Sequence, residues 1–272
     1  MKHPIYLFLS AICVAFIFFS CKPGRSDAEL ALAKAREMYR EKDYSGAKQA
    51  IDSLKVLYPK AFDEIRAGLA LLDSVRRGEN ELNISVSDSL IGQMSVSVDS
   101  LKKMFVYARD KRYDDIGTYY PKETYSAGVP STGLRSGVDE KGKMFIESVF
   151  VGGSARHNIL TVSDKNGLKA QTLAENGDGL NYSFQNSGAR FEIIRFSGTT
   201  DNGVAKFIAE NQDQPLTITL GGRNTNSYSL SPAMKKGILK SYLLSTWIGQ
   251  VDSLTSEKEK AMFRLEYLNG KK

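Results

Sequence analysis

Three patterns of apolar and polar residues succeed one another along this chain, and each predicts a different kind of structure. The first is an apolar run from Ile5 to Phe19, preceded by Lys2 and His3 and followed by Ser20-Cys21. From Ser26 onward, apolar residues recur at three- and four-residue steps, the period of an amphipathic helix. Ser26 and Glu29 have capping-box spacing, in which each side chain satisfies the other's amide, so a first helix is predicted from there to about Lys42. Asp43-Tyr44-Ser45-Gly46 is turn chemistry, and Ala47, Ala50, Ile51, Leu54 and Leu57 carry a second helix to Tyr58-Pro59, completing a helical hairpin. Pro59 opens a third helix, where its missing amide costs nothing. Phe62, Ile65, Leu69, Leu72 and Val75 begin its stripe, and Leu82, Val86, Leu90, Met94, Val98, Leu101 and Phe105 extend it to about Tyr107. Such a helix would be roughly 70 Å long. Gly78 and the Ser/Val alternation from Ile84 to Val98 argue the other way, toward strand.

At the far end, Ser231-Pro232 supplies an N-cap with Pro at the first helical position. Leu239, Leu243, Trp247, Val251, Leu254, Ala261, Leu265 and Leu268 then form a helical stripe, interrupted by Lys258. Two long amphipathic helices bracketing a central segment predict an antiparallel coiled coil. Between them the period shortens to that of strands. Lys143 to Phe150, His157 to Ser163, Leu168 to Leu173, Leu180 to Phe184, Phe191 to Phe196, Val204 to Ala209, Pro215 to Leu220 and Thr225 to Leu230 are predicted as strands. Asn166-Gly167, Asn176-Gly177 and Asn202-Gly203 supply hairpin turns, and Gly152-Gly153 and Gly221-Gly222 read as bulges or tight turns. The predicted fold class is therefore α+β, a helical hairpin and coiled coil around an antiparallel sandwich or barrel of about eight short strands. The domains expected are 21–107 helical, 108–142 a junction, 143–230 the β domain and 231–272 the closing helix.

The N-terminal run looks like a bacterial lipoprotein signal, in which the chain is cut just before a cysteine that then carries acyl chains. Residues 1–20 would be removed and Cys21 would be the mature N-terminus and lipid attachment site. Phe18 and Phe19 stand where an aliphatic and a small residue are usual. A run of this length spans only about 22 Å as a helix against a hydrocarbon core of about 30 Å, so an uncleaved membrane span is the weaker reading. The hairpin resembles one tetratricopeptide unit in the order Ala35, Tyr39, Tyr44, Ala47, Leu54, Pro59, but no second copy follows, and a peptide groove needs about three.

Charge changes the picture little. The chain carries 37 Lys and Arg against 31 Asp and Glu, and removing residues 1–20 takes away only Lys2, leaving a net charge of +5. Basic residues occur as isolated pairs such as Arg76-Arg77 and Lys235-Lys236, which predicts solvated helix faces and no nucleic-acid partner. Apart from Cys21 the only cysteine is Cys13, within the signal, so the mature fold would rest on apolar burial without a disulfide.

Chemistry is scarce. His157 is the only histidine beyond the signal, which excludes a multi-histidine metal site and a Cys/His pair, and no metal or cofactor is expected. A triad could use His157 once, but no Gly-x-Ser-x-Gly elbow exists, and a strand histidine beside Arg156 reads as a surface or edge residue. Ser100-Leu101-Lys102-Lys103 matches Ser-x-x-Lys but lies on a predicted coiled coil. Asp114-Asp115 and Asp139-Glu140 read as turn or cap residues, and Asp164-Lys165-Asn166-Gly167 as a hairpin turn rather than a calcium loop. The segment from Tyr107 to Tyr125 stands out, with Tyr113, Tyr119, Tyr120 and Tyr125 as candidate ligand or interface residues. The alternative is that these tyrosines pin the junction, ring buried and hydroxyl wet.

The lipoprotein start, Lys42-Asp43-Tyr44 to Tyr58-Pro59-Lys60-Ala61, Tyr113-Asp114-Asp115-Ile116-Gly117, Glu140-Lys141-Gly142 and Ser231-Pro232 together resemble a family of uncharacterised lipoproteins from Bacteroidetes-type bacteria. The resemblance implies an envelope location and no particular activity. In that group an acidic cluster after the lipidated cysteine often marks surface export; Lys22-Pro23-Gly24-Arg25-Ser26-Asp27 lacks one, which favours the periplasmic side. The expectation is a non-catalytic, membrane-tethered envelope protein that presents its β domain to a protein partner. Its rivals are a carbohydrate- or peptidoglycan-binding module using the tyrosines and a hydrolase built around His157.

Overall fold

The computed structural model describes residues 26–112, 114–126, 131–153, 156–175 and 181–270. They fall into two compact units, one within Met1–Glu81 and Leu265–Lys272, the other within Leu82–Arg264.

The first unit is helical. Helix α1 (Asp27–Arg40) starts at the expected capping box, with the Ser26 hydroxyl accepting from the Glu29 amide and the Glu29 carboxylate accepting from the Ser26 amide, both at 3.1 Å. Asp43 caps α2 (Tyr44–Leu57) by accepting from the Gly46 amide at 2.9 Å. These helices close on the first part of α3 (Phe62–Lys102) around Ala35, Ala47, Ile51, Leu72 and Val75. Ala35 and Ala47 are fully buried, as expected of small residues where helices cross closely. Gly78 belongs to the same logic, because a Cβ there would stand 2.8 Å from the Tyr44 ring. The last turns of the C-terminal helix α5 (Pro232–Gly270) join this unit through buried Leu268 and through hydrogen bonds from Arg77 to Asn269 and the Leu268 carbonyl.

In the second unit α3 and α5 run antiparallel. Asp88 pairs with Lys258 at 2.6 Å, and further along α3 Val98 and Leu101 pack with Ile248 and Leu244, earlier on α5. Lys258, the interruption in the apolar stripe, thus has an ionic partner on the facing helix. The β portion consists of two antiparallel sheets. One has six strands in the order β1 (Phe105–Ala108), β2 (Thr118–Pro121), β3 (Gly133–Asp139), β4 (Met144–Gly152), β8 (Ala189–Ser197), β7 (Asn181–Asn186). The other runs β10 (Asn226–Ser229), β9 (Leu216–Gly222), β5 (His157–Asp164), β6 (Lys169–Gln171). Ile146, Leu134 and Phe196 from the first sheet meet Leu160, Val162, Ile218 and Leu220 from the second, with Ile238 of α5 completing the core. The fold class is α+β, as the periodicities predict.

The elements differ from the expectation in four places. The third helix begins at Phe62 rather than at Pro59, which stands in the turn before it. Val204 to Ala209 is a helix, α4 (Val204–Glu210), not a strand. Asn202 and Gly203 adopt φ of 48° and 84°, and Asp201 accepts from the amides of Gly203 at 3.2 Å and Ala205 at 3.0 Å. Its buried Val204, Ala205 and Ile208 make one helical face. The third helix stops at Lys102 rather than Tyr107, because Phe105 to Ala108 pairs with β2. The junction also supplies β2 and β3, whose Gly133-Leu-Arg-Ser-Gly-Val-Asp sequence lacks the alternation that marks a half-buried strand.

Turn chemistry is carried as read at Asp164, whose carboxylate accepts from the amides of Asn166 at 2.8 Å and Leu168 at 2.9 Å, with Gly167 at φ 88°. Asn176-Gly177 lies outside the described residues.

Candidate functional site

Strand alternation divides the tyrosine-rich junction. Tyr119 and Tyr120 are neighbours in β2 and project to opposite faces of the sheet. Tyr119 packs against the α3–α5 core, with its ring 5.2 Å from Tyr107, its cross-strand partner, and the Lys102 ammonium 5.2 Å from the ring centre. Tyr120 lies 5.9 Å from Tyr125 and 6.1 Å from Phe145 on the other face. Burial, followed by the nearby Glu147 carboxylate, raises the pKa of its phenol. Exposed Tyr107 donates to Glu140 at 2.6 Å, which raises the phenol and lowers the carboxyl. The structure thus joins Tyr120 with Tyr125 and separates both from Tyr119; Tyr113 and Cys21 lie outside the described residues.

His157 is not at the surface. Its side chain is fully buried between the sheets, with Nε2 3.0 Å from the Ser148 hydroxyl and Nδ1 3.3 Å from the Glu192 carboxylate. The cause of this correction is a bulge. His157 pairs with Gly222 and Ile159 with Gly221, so Asn158 is the extra residue, and His157 is brought into phase with inward-facing Leu160 and Val162. Gly222 permits it, since a Cβ there would lie 2.3 Å from the Arg156 carbonyl oxygen. Burial lowers the histidine pKa and so favours the neutral ring, against the hydrogen bond to Glu192, which favours the protonated one. Ser148, His157 and Glu192 have the chemical order of a hydrolytic triad, but Ser148 is wholly buried in the middle of β4, where no carbonyl substrate can approach it.

On the opposite face of β4, Glu147 bridges two arginines that flank it in register on β3 and β8. Arg135 donates to one carboxylate oxygen at 2.7 Å, and Arg195 donates to the other at 2.6 and 3.0 Å while lying 3.9 Å above the Phe145 ring. Neither this cluster nor the one at His157 was foreseen. Their signal in the sequence is a glutamate inside an apolar strand, Phe-Ile-Glu147-Ser-Val and Phe-Glu192-Ile-Ile.

Two further surfaces belong to the same unit. A groove of about 420 Å³ is lined by Asp201, Lys206, Tyr242, Ser245 and Thr246 among others; Asp201 is committed to capping α4. At the end of the six-stranded sheet, β7 carries exposed Tyr182 and Phe184, with rings 6.1 Å apart and Phe184 stacked on Phe191 at 4.9 Å.

No family model matches the chain, and neither a curated protein nor a solved structure is similar to it. Among the described residues no helix is long and apolar enough to cross a membrane, and no group of three or more His, Cys, Asp or Glu is placed to hold a metal ion.

Proposed function

We propose that this protein is a non-catalytic envelope lipoprotein, held to the membrane by acyl chains on Cys21, on the periplasmic side, whose β sandwich engages a protein partner. The tether rests on the Ser20-Cys21 pattern after the apolar run, and α1 begins at Asp27, only six residues beyond the cysteine. The observation that carries the interaction reading is strand β7. It ends the six-stranded sheet, its residues beyond Asn181 are exposed, and Tyr182, Phe184 and Phe191 stack into an aromatic ladder. An open edge flanked by aromatic side chains suits addition of an extended partner segment, with backbone hydrogen bonds giving affinity and the rings giving selectivity. The glycan-binding alternative has less support, because Tyr119 and Tyr120 face opposite ways and offer no common platform.

Photo-crosslinking from position 184 in intact cells tests both parts, with detergent partitioning of a Cys21→Ala variant alongside. A defined crosslinked envelope protein, lost in Tyr182→Ser, and a shift of Cys21→Ala to the aqueous phase are the expected results. An unlipidated native chain removes the tether, and crosslinks indifferent to Tyr182→Ser remove the β7 surface.

A further inference from the structure

Beside the His157 cluster, Arg156, His157 and the strands β7 and β8 line a pocket of about 170 Å³ that opens to solvent. Among the described residues, three side-chain atoms of its lining are buried without a hydrogen-bond partner: Asn181 Oδ1, Glu192 Oε1 and Arg190 Nε. Leaving such groups unsatisfied is destabilising, most of all for charged ones, so three of them around one small pocket is an arrangement that asks for a complement. Glu192 is the most informative of them. Its side chain is only 5% exposed, its Oε2 is engaged by His157, and its Oε1 stands 3.7 Å from Arg190 Nε, beyond hydrogen-bond reach. Arg190 also donates to the Ser183 hydroxyl in the pocket wall at 3.0 Å, and Arg156 adds a second cation to the lining.

We infer that this cavity binds a small zwitterionic ligand of the α-amino acid class, independently of any protein partner at β7. The two acceptors, Glu192 Oε1 and Asn181 Oδ1, suit an ammonium group. Arg190 and Arg156 suit a carboxylate, with which guanidinium groups form strong charge-assisted bonds. A simple cation would meet the arginines and a simple anion would meet Glu192, so only a ligand carrying both charges satisfies the whole site. The volume sets the size, since sites for drug-sized molecules begin at about 300 Å³. His157 is a positioning residue, fixing the Glu192 carboxylate so that one oxygen remains for the ligand.

Calorimetric titration of the purified full chain with glycine, L-alanine and D-alanine tests the assignment, with methylammonium and acetate as probes carrying one charge each. Saturable binding of at least one amino acid at or below about 1 mM, at least tenfold tighter than either half-ligand, is expected. Glu192→Gln and Asn181→Ala should each weaken it about tenfold or more; Asn181 is at the start of the edge strand and outside the His157 network, so its variant remains informative if the other does not fold. No saturable binding by any of the three up to about 10 mM overturns the inference. So does acetate binding as tightly as alanine, or affinity unaffected by Asn181→Ala.

Discussion

Two glutamates on opposite faces of one sheet are equally buried and differently used. Glu147 and Glu192 are each 4% exposed. Glu147 has both oxygens hydrogen-bonded to guanidinium groups, whereas Glu192 has one oxygen on a neutral imidazole and the other without a hydrogen bond among the described residues, 3.7 Å from the Arg190 guanidinium. A buried carboxylate must be compensated within the protein or by something that enters it. Glu147 therefore belongs to the scaffold, a cross-strand clamp over β3, β4 and β8. Glu192 stands in a site that the fold leaves incomplete.

The largest effect that sharpens this contrast is expected at Glu147. Glu147→Gln leaves two guanidiniums facing each other across β4 with no charge between them. A loss of about 3 kcal/mol in urea unfolding is expected, at the low end for a broken buried pair because Arg135 and Arg195 both reach solvent. A loss under about 1 kcal/mol would make the clamp ornamental and break the comparison from that side.

The next effect reports on the other cluster through pH. The unfolded chain takes up the His157 proton near its ordinary value of 6.5, while the folded protein, by burying the ring, resists it. Unfolding is then coupled to proton uptake, so stability is full above about pH 6.5 and falls as the pH drops below it, until the lowered folded value is reached. The groups facing the ring are the Glu192 carboxylate and Ser148, and both favour the protonated form, Glu192 the more strongly, but burial outweighs them. The slope cannot exceed about 1.4 kcal/mol per pH unit for one proton. Urea midpoints measured from pH 7.5 to 5 should show this decline in the native chain and a flatter profile in His157→Gln. An equal slope in both would assign the pH response to other groups.

These contrasts lie where sequence reading runs out, and the reasons are local. The helices are legible because Leu72, Val75, Val98, Leu101, Ala261 and Leu268 fall on stripes with the helical period and are buried, and that period survives Gly78, whose hydrogen makes room for Tyr44. Helix α4 is too short for its period to outweigh an Asn-Gly signal that serves here as a helix start. Strands β2 and β3 hide because both faces of their sheet are packed, so Tyr119 and Tyr120 look like one cluster and are two. His157 reads as a surface residue because its orientation depends on one extra residue opposite Gly221-Gly222, which shifts every side chain before it to the other face. Glu147 and Glu192 are visible as charges inside apolar strands, but nothing in either strand says which one has partners, because Arg135, Arg195 and His157 are supplied by other strands.

The smallest effect is expected at Glu192 itself, and it is the one that decides what kind of site this is. In the ligand-free protein Glu192→Gln removes a charge whose burial is poorly compensated and keeps a group able to bond His157. The change in stability should therefore be under about 1 kcal/mol, or slightly stabilising, with cooperative unfolding retained. If it instead matches the loss at Glu147, the two carboxylates are both structural, and the open oxygen of Glu192 has a partner within the fold after all. If stability is kept while amino-acid binding is lost, the energy set aside at Glu192 belongs to a ligand. The asymmetry between the two faces of the sheet is then a division between holding the sandwich together and loading it.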